Sequence, residues 1–140
     1  VALPQYQMAV LKSRFATVRT VAENLKKAEE IYYMANGYYE ADTNKLDIDY
    51  KGVCSGNDVL KCENYFYVDV LSGSGISTTL GNNHIAVYYC GGLEWGTCGN
   101  SKWDFVYKVW LDNSSYPGGR TCSGRSDLGV QFCKMINAAS

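Results

Sequence analysis

Between residues 1 and 36, apolar or small residues recur at Leu11, Phe15, Val18, Ala22, Leu25, Ala28, Tyr32 and Ala35. Steps of three and four lay a stripe along one side of an α-helix. The charged residues Lys12, Arg19, Glu23, Lys26, Lys27 and Glu30 fall between them, on the other face. Arg19/Glu23, Glu23/Lys27 and Lys26/Glu30 are opposite-sign pairs four apart, each stabilising a helix by a few tenths of a kcal/mol. The pattern predicts one helix over residues 1–36, roughly 54 Å long at about 1.5 Å per residue. Asn36-Gly37 ends it, since either residue tolerates the left-handed conformation that closes a helix. Pro4 suits a first helical turn. Tyr6, Met8, Ala9, Val10 and Leu11 make the following turn apolar all round, the character of a buried helix. A helix of this length outruns a compact domain, so one end is expected to protrude or to meet a partner.

Beyond Gly37 the period shortens to two. Residues 38–52 form a connector in which Leu46, Ile48 and Tyr50 alternate with Asp47, Asp49 and Lys51, either a short edge strand or one extended segment lying on the core. Residues 54–62 enclose Ser55-Gly56-Asn57-Asp58, a turn-rich tip. Residues 65–71 put Phe66, Val68 and Val70 on one face and Tyr65, Tyr67, Asp69 and Leu71 on the other. A short strand is expected at 76–80, then a turn at Gly81-Asn82-Asn83. Residues 84–90 alternate Ile85, Val87 and Tyr89 with Ala86, Tyr88 and Cys90. A glycine-rich loop follows at 91–101. Residues 103–111 alternate Phe105, Tyr107, Val109 and Leu111 with Asp104, Val106, Lys108 and Trp110. Short strands separated by turns fit an antiparallel meander, and the helix stripe is the cover its apolar face needs. The expected fold class is α+β, one domain of two layers: helix 1–36, connecting region 37–63, sheet 64–111 and a C-terminal disulfide loop region 112–140.

Six cysteines change the picture most: Cys54, Cys62, Cys90, Cys98, Cys122 and Cys133. None lies in the helix. Metal binding is the alternative, but there is no Cys-x-x-Cys and His84 is the only histidine, short of the tight four-ligand spacing of zinc sites. Disulfides are therefore expected, which places the chain outside the cytosol. Six cysteines allow about 15 pairings. In sequence they fall into three local pairs, 54–62, 90–98 and 122–133, each closing a short loop that stabilises by about 2–3 kcal/mol.

At 140 residues a single domain is expected, and a net charge of −1 removes the easy electrostatic case for a nucleic-acid partner. Twelve tyrosines and 14 glycines suit a turn-rich antiparallel sheet. With one histidine no Ser-His-Asp or Cys-His arrangement arises. His84 reads as a turn-edge residue at a strand start. Gly73-Ser74-Gly75 and Gly91-Gly92 lack the lysine of a phosphate loop. Asp42, Asn44, Asp47 and Asp49 invite calcium but miss the EF-hand order. No catalytic, cofactor or metal residue is assigned, and an enzyme is not expected. Tyr65, Tyr67, Tyr88, Tyr89, Trp95, Trp103, Tyr107 and Trp110 either pack the sheet or line a sugar-binding surface. Trp95, in the glycine-rich loop, is the one expected to be exposed. Asn113-Ser114-Ser115 matches a glycosylation sequon, a frequent chance match.

Ala2-Leu3-Pro4-Gln5-Tyr6-Gln7, the amphipathic helix after it, and Tyr32-Tyr33-Met34-Ala35-Asn36-Gly37-Tyr38-Tyr39 together resemble bacterial type IV pilins and pseudopilins. The resemblance resumes at Arg120-Thr121-Cys122 and Phe132-Cys133-Lys134, similar to the C-terminal disulfide loop of those proteins. Val130, Phe132 and Met135 would dock that tail. The resemblance implies a pilin-like fold and a segment before Val1: a cleaved leader, a methylated mature N-terminus and about twenty apolar residues that span a bilayer. It implies the major structural subunit of an extracellular filament, anchored in the inner membrane as a precursor, its head on the periplasmic face. Its partners would be further copies of itself and the pilus or secretion assembly machinery, with Leu11, Phe15, Val18, Ala22 and Leu25 on the assembly helix. Two other classes stay open. One is a pseudopilin or minor pilin of a type II secretion, adhesion or DNA-uptake system, with Arg120, Arg125 and Lys134 as the only basic handle. The other is a free-standing secreted glycan-binding module using Trp95 and nearby tyrosines.

Overall fold

The structure is a computed structural model that describes residues 5–71 and 83–139. Helix α1 runs Gln5–Asn36, 32 residues, about 48 Å at 1.5 Å per residue. It closes as the sequence predicts. Gly37 takes φ 82° and its N–H donates to Tyr33 O at 2.7 Å, while Asn36 Nδ2 donates to Tyr32 O at 3.0 Å. Met8, Leu11, Phe15, Val18, Val21, Ala22, Leu25, Ala28 and Glu29 form the buried face. Ala35 is exposed and Tyr32 only half-buried, because a straight helix carries its stripe off the sheet by the last turn.

Six strands follow: β1 (Cys54–Ser55), β2 (Val59–Cys62), β3 (Phe66–Val70), β4 (His84–Tyr89), β5 (Phe105–Trp110) and β6 (Arg120–Gly124). They pair in chain order as one antiparallel meander. The α+β, helix-on-sheet architecture is thus present. The sheet is wider than 64–111 at both sides. The 54–62 tip is a hairpin of β1 and β2. The connector 38–52 makes no strand; it lies extended on the core with buried Leu46, after a 3₁₀ turn at Thr43–Lys45. The strand expected at 76–80, with Gly81 and Asn82 of the next turn, lies outside the described residues.

Register fixes which faces agree. Phe66 opposes Tyr89, Val68 opposes Val87, and Val87 opposes Tyr107. These residues, with Val70, Ile85, Phe105 and Val109, form the inner face under α1. Phe15 is the hub, with ring centroids 5.1 Å from Tyr107, 5.2 Å from Phe132, 6.0 Å from Phe105 and 6.1 Å from Phe66. Such aromatic contacts add about 0.5–1.5 kcal/mol each beyond burial.

All three local disulfides are formed. Cys90–Cys98 draws the 91–101 segment onto the outer face of the sheet, where it folds into one turn α2 (Trp95–Thr97) and a π turn at Cys98–Lys102 rather than an open loop. A second, smaller core forms there from Tyr67, Cys90 and Cys98, with Val59, Tyr88, Trp95 and Trp103 packed on it.

Within the C-terminal region, residues 112–119 are loop, but the disulfide-closed part from Arg120 on is a strand and a helix. Strand β6 turns into helix α3 (Asp127–Ala139), and Cys122–Cys133 joins the two. Ser126 Oγ accepts the Gly129 N–H at 3.1 Å, an N-cap bond that satisfies one of the helix's free donors. Leu128, Phe132 and Ile136 recur four apart on the side facing the core. Phe132 stacks on Phe105 at 4.1 Å. The helix lies close because Gly129 has no side chain: a Cβ there would collide with the Asp104 carbonyl. Phe132 is buried and Met135 half-buried, whereas Val130, expected to dock the tail, is exposed. Its position is two residues off the core-facing stripe.

Candidate assembly surface

The side of α1 turned away from the sheet is exposed along its length: Tyr6, Ala9, Ser13, Ala16, Thr17, Thr20, Asn24, Lys27, Ile31, Met34 and Ala35. Positions three and four apart share a face. This face holds one charge, Lys27. Tyr6, Ile31 and Met34 are 77%, 68% and 85% exposed. The other charges expected on the outer face sit on the flanks, and several reach down to the sheet. Arg19 lies over the Tyr107 ring, 5.3 Å from its centroid. Glu23 receives Arg120 Nε at 2.8 Å and Nη2 at 2.6 Å. Lys26 Nζ reaches Asp112 at 3.0 Å and Glu30 at 3.5 Å. The result is an outward stripe with a single charge, bounded by the exposed Lys12, Arg14 and Arg19 and by the ion-paired Glu23, Lys26 and Glu30. Leu11, Phe15, Val18, Ala22 and Leu25, by contrast, are buried inside this chain.

Two grooves flank the first turns of α1. One, about 360 Å³, lies between Tyr6, Val10, Arg14, Tyr89 and Leu128. The other, about 480 Å³, lies between Met8, Lys12, Gln131 and Met135. Both are open and mostly apolar.

The last turns of α1 are fastened by polar groups. Glu30 Oε1 accepts the Tyr39 hydroxyl at 2.7 Å, and Oε2 accepts the Asp112 N–H at 2.8 Å. The same Tyr39 oxygen accepts the Asn113 N–H at 3.1 Å, and Asn113 Nδ2 donates to the Tyr33 hydroxyl at 2.8 Å. Burial pushes the Tyr39 phenol upward. Next to it Glu29 is fully buried, one oxygen accepting the Glu40 N–H at 2.9 Å. Burial pushes the Glu29 carboxyl up to about 8, with the Glu40 and Glu30 carboxylates adding to the rise against the Glu40 N–H bond. The bond between the Tyr32 and Tyr38 hydroxyls, at 3.3 Å, pushes Tyr32 up to about 12. Glu29 stands four residues after Leu25 and seven after Ala22, on the apolar stripe itself. That placement is the signal by which its burial was legible.

The remaining candidates are dispersed. Trp95 is half-buried, its ring 5.5 Å from Tyr67 and 5.1 Å from Tyr88, so it buttresses the outer face rather than projecting from it. Arg120 is committed to Glu23 and to the Gly118 and Gly119 carbonyls. Arg125 covers the Trp103 ring at 5.0 Å. Arg120 and Arg125 stand at the two ends of β6, roughly 16 Å apart at about 3.3 Å per residue, and form no basic patch. His84 is buried against Trp110, 4.9 Å between ring centroids. Asp42 and Asp49 accept the Asn44 and Lys51 N–H groups at 3.0 Å. The sequon's Asn113 has its amide nitrogen engaged by Tyr33. Among the described residues, no three His, Cys, Asp or Glu side chains cluster to hold a metal, and no helix is long and apolar enough to cross a membrane.

Neither a family model, nor a curated protein, nor a solved structure matches this chain.

Proposed function

We propose that the chain is the globular head of a type IV pilin-like subunit, a structural component of an extracellular filament. One observation carries the proposal: α1 buries one face on its own sheet and leaves a second face, charged only at Lys27, exposed along its length. A lone water-soluble domain normally places charge there. A helix with two weakly charged faces suits a position between its own sheet and other helices. Repetition of one such contact between identical subunits is heterologous and open, and generates a fibre. Ser13, Ala16, Thr17 and Thr20 allow close approach in the middle of the face, with Ile31 and Met34 as larger contacts at one end. The three disulfides would hold the outer shell of the filament against shear and proteolysis. A subunit of this kind carries an apolar helix ahead of Val1, about twenty residues long, as membrane anchor before assembly.

The test is made on the complete gene in a host that assembles the filament. Thr17→Glu and Ile31→Glu should abolish surface filaments seen by electron microscopy, while the purified heads keep wild-type circular dichroism and Tm. Filaments formed normally by both variants would end the proposal. So would a gene that encodes a secretory signal peptide directly before Val1.

A further inference from the structure

Away from α1, the chain bends sharply between β2 and β3. Asn64 and Tyr65 sit consecutively in the left-handed region, at φ 60° and 70°, which non-glycine residues rarely occupy. The bend is held from both sides. The Glu63 N–H donates to Val53 O at 2.9 Å, and the Cys90 N–H donates to Tyr65 O at 3.0 Å. Cys54–Cys62 and Cys90–Cys98 close the two segments that flank it. This conformation leaves Tyr65 58% exposed, while Phe66 beside it is fully buried.

What the bend does is stand the Tyr65 ring at the edge of a notch of about 300 Å³. Gly92, at φ 97°, lies alongside, and a Cβ there would come within 3.9 Å of Tyr65 Cε1. Leu93, 43% exposed, adds a second apolar surface. The polar side of the notch is Lys61, Asn64 and Glu94. Lys61 Nζ pairs with Glu94 Oε1 at 3.7 Å, and the buried Tyr67 donates its hydroxyl to Glu94 Oε2 at 3.4 Å. Trp95 packs behind Tyr67 and braces it.

We propose that this notch binds a neutral pyranose, one sugar of a surface or matrix glycan, stacked on Tyr65 with its hydroxyls bonded to Glu94, Lys61 and Asn64. A pyranose has an apolar face of C–H groups and a rim of hydroxyls. An exposed aromatic plate beside a carboxylate, an ammonium and an amide matches both parts. Lys61 and Glu94 cancel one another, which disfavours a charged ligand. The volume lies at the low end for small-molecule sites, room for a ring or two. Two disulfides and the pinned bend fix the notch before binding, which removes ordering cost. The proposal is independent of filament assembly and stands on different residues.

The experiment is a ¹H–¹⁵N chemical-shift titration of this chain with methyl β-D-galactopyranoside, methyl β-D-glucopyranoside and chitobiose at millimolar concentrations. Binding should shift the amides of Asn64, Tyr65, Gly92, Leu93 and Glu94. The variant Tyr65→Gly is decisive because glycine fits φ 70° without strain. It should hold or raise Tm and weaken the sugar at least about tenfold, a combination that mere damage to the fold cannot produce. Glu94→Gln should weaken it less. No shifts with any of the three sugars, shifts confined to other surfaces, unaltered affinity in Tyr65→Gly, or shifts at these amides with tetra-alanine amide but not with sugars would each overturn it.

Discussion

Helix α1 is held to the rest of the molecule in two different ways. Around Phe15 the contact is aromatic and apolar, five rings interlocked on the inner face of the sheet. Around Glu29 and Glu30 it is a set of directed hydrogen bonds to the connector and to the loop after β5. Apolar packing is strong and non-directional, and its one titratable ring, Tyr107, has its phenol pushed up by burial, away from the range in which carboxylates titrate. The polar set contributes less net energy per contact but fixes one arrangement, since every buried donor or acceptor demands its partner. It also makes that end of the helix sensitive to pH.

The largest expected effect breaks the apolar half. Phe15→Ala removes the ring at the hub of the core and should destabilise by about 3–5 kcal/mol, read as a fall in denaturation midpoint with little dependence on pH. A loss below about 1 kcal/mol would show that the rings do not hold the helix.

Next is the polar half. The Glu29 carboxyl is raised from 4.5 to about 8 in the folded chain. Between those values the native state holds a proton that the unfolded state has lost. Stability is then fully present below the unfolded value and declines as pH rises toward the folded one. Glu29→Gln has no proton to lose and keeps an acceptor for the Glu40 N–H. Denaturant titrations should find the variant close to wild type near pH 4 and more stable by about 5 kcal/mol at pH 9. Parallel pH profiles for the two proteins would remove Glu29 from the account.

The smallest effect tests the boundary between the halves. Arg120 grips Glu23 in two bonds, but both side chains are about one-third exposed, and solvent weakens such pairs. Arg120→Ala should cost about 1 kcal/mol or less, partly screened by salt. It should leave any DNA binding unchanged, since Arg120 is already paired. A loss as large as that of Phe15→Ala would merge the two regions into one cooperative contact.

Much of the fold was legible in the chain. The helix stripe from Leu11 to Ala28, its stop at Gly37, and the alternation in β3, β4 and β5 are local patterns that backbone geometry translates directly. The three disulfides were legible because each pairs neighbours in sequence. Helix α3 was also written there, as the Ser126 cap with Leu128, Phe132 and Ile136 four apart, but the bridge between Cys122 and Cys133 masked it as a loop. The outer stripe of α1 was only half visible: the charges were present in sequence, and their turning toward the sheet was not.

The set of elements, and the side each one buries, follow from local pattern, because period and polarity act over a few residues. Where single side chains end depends on contacts made across the fold. Trp95 goes under cover because Cys90–Cys98 folds its segment onto Tyr67 and Tyr88. Arg120 turns onto α1 because β6 runs beside Glu23. Tyr65 becomes the exposed ring because a bend pinned by Val53 and Cys90 lifts it out. Each outcome also needs a partner far away in the chain, Tyr67 for Trp95, Glu23 for Arg120 and Cys90 for Tyr65, and no local pattern encodes such a partner.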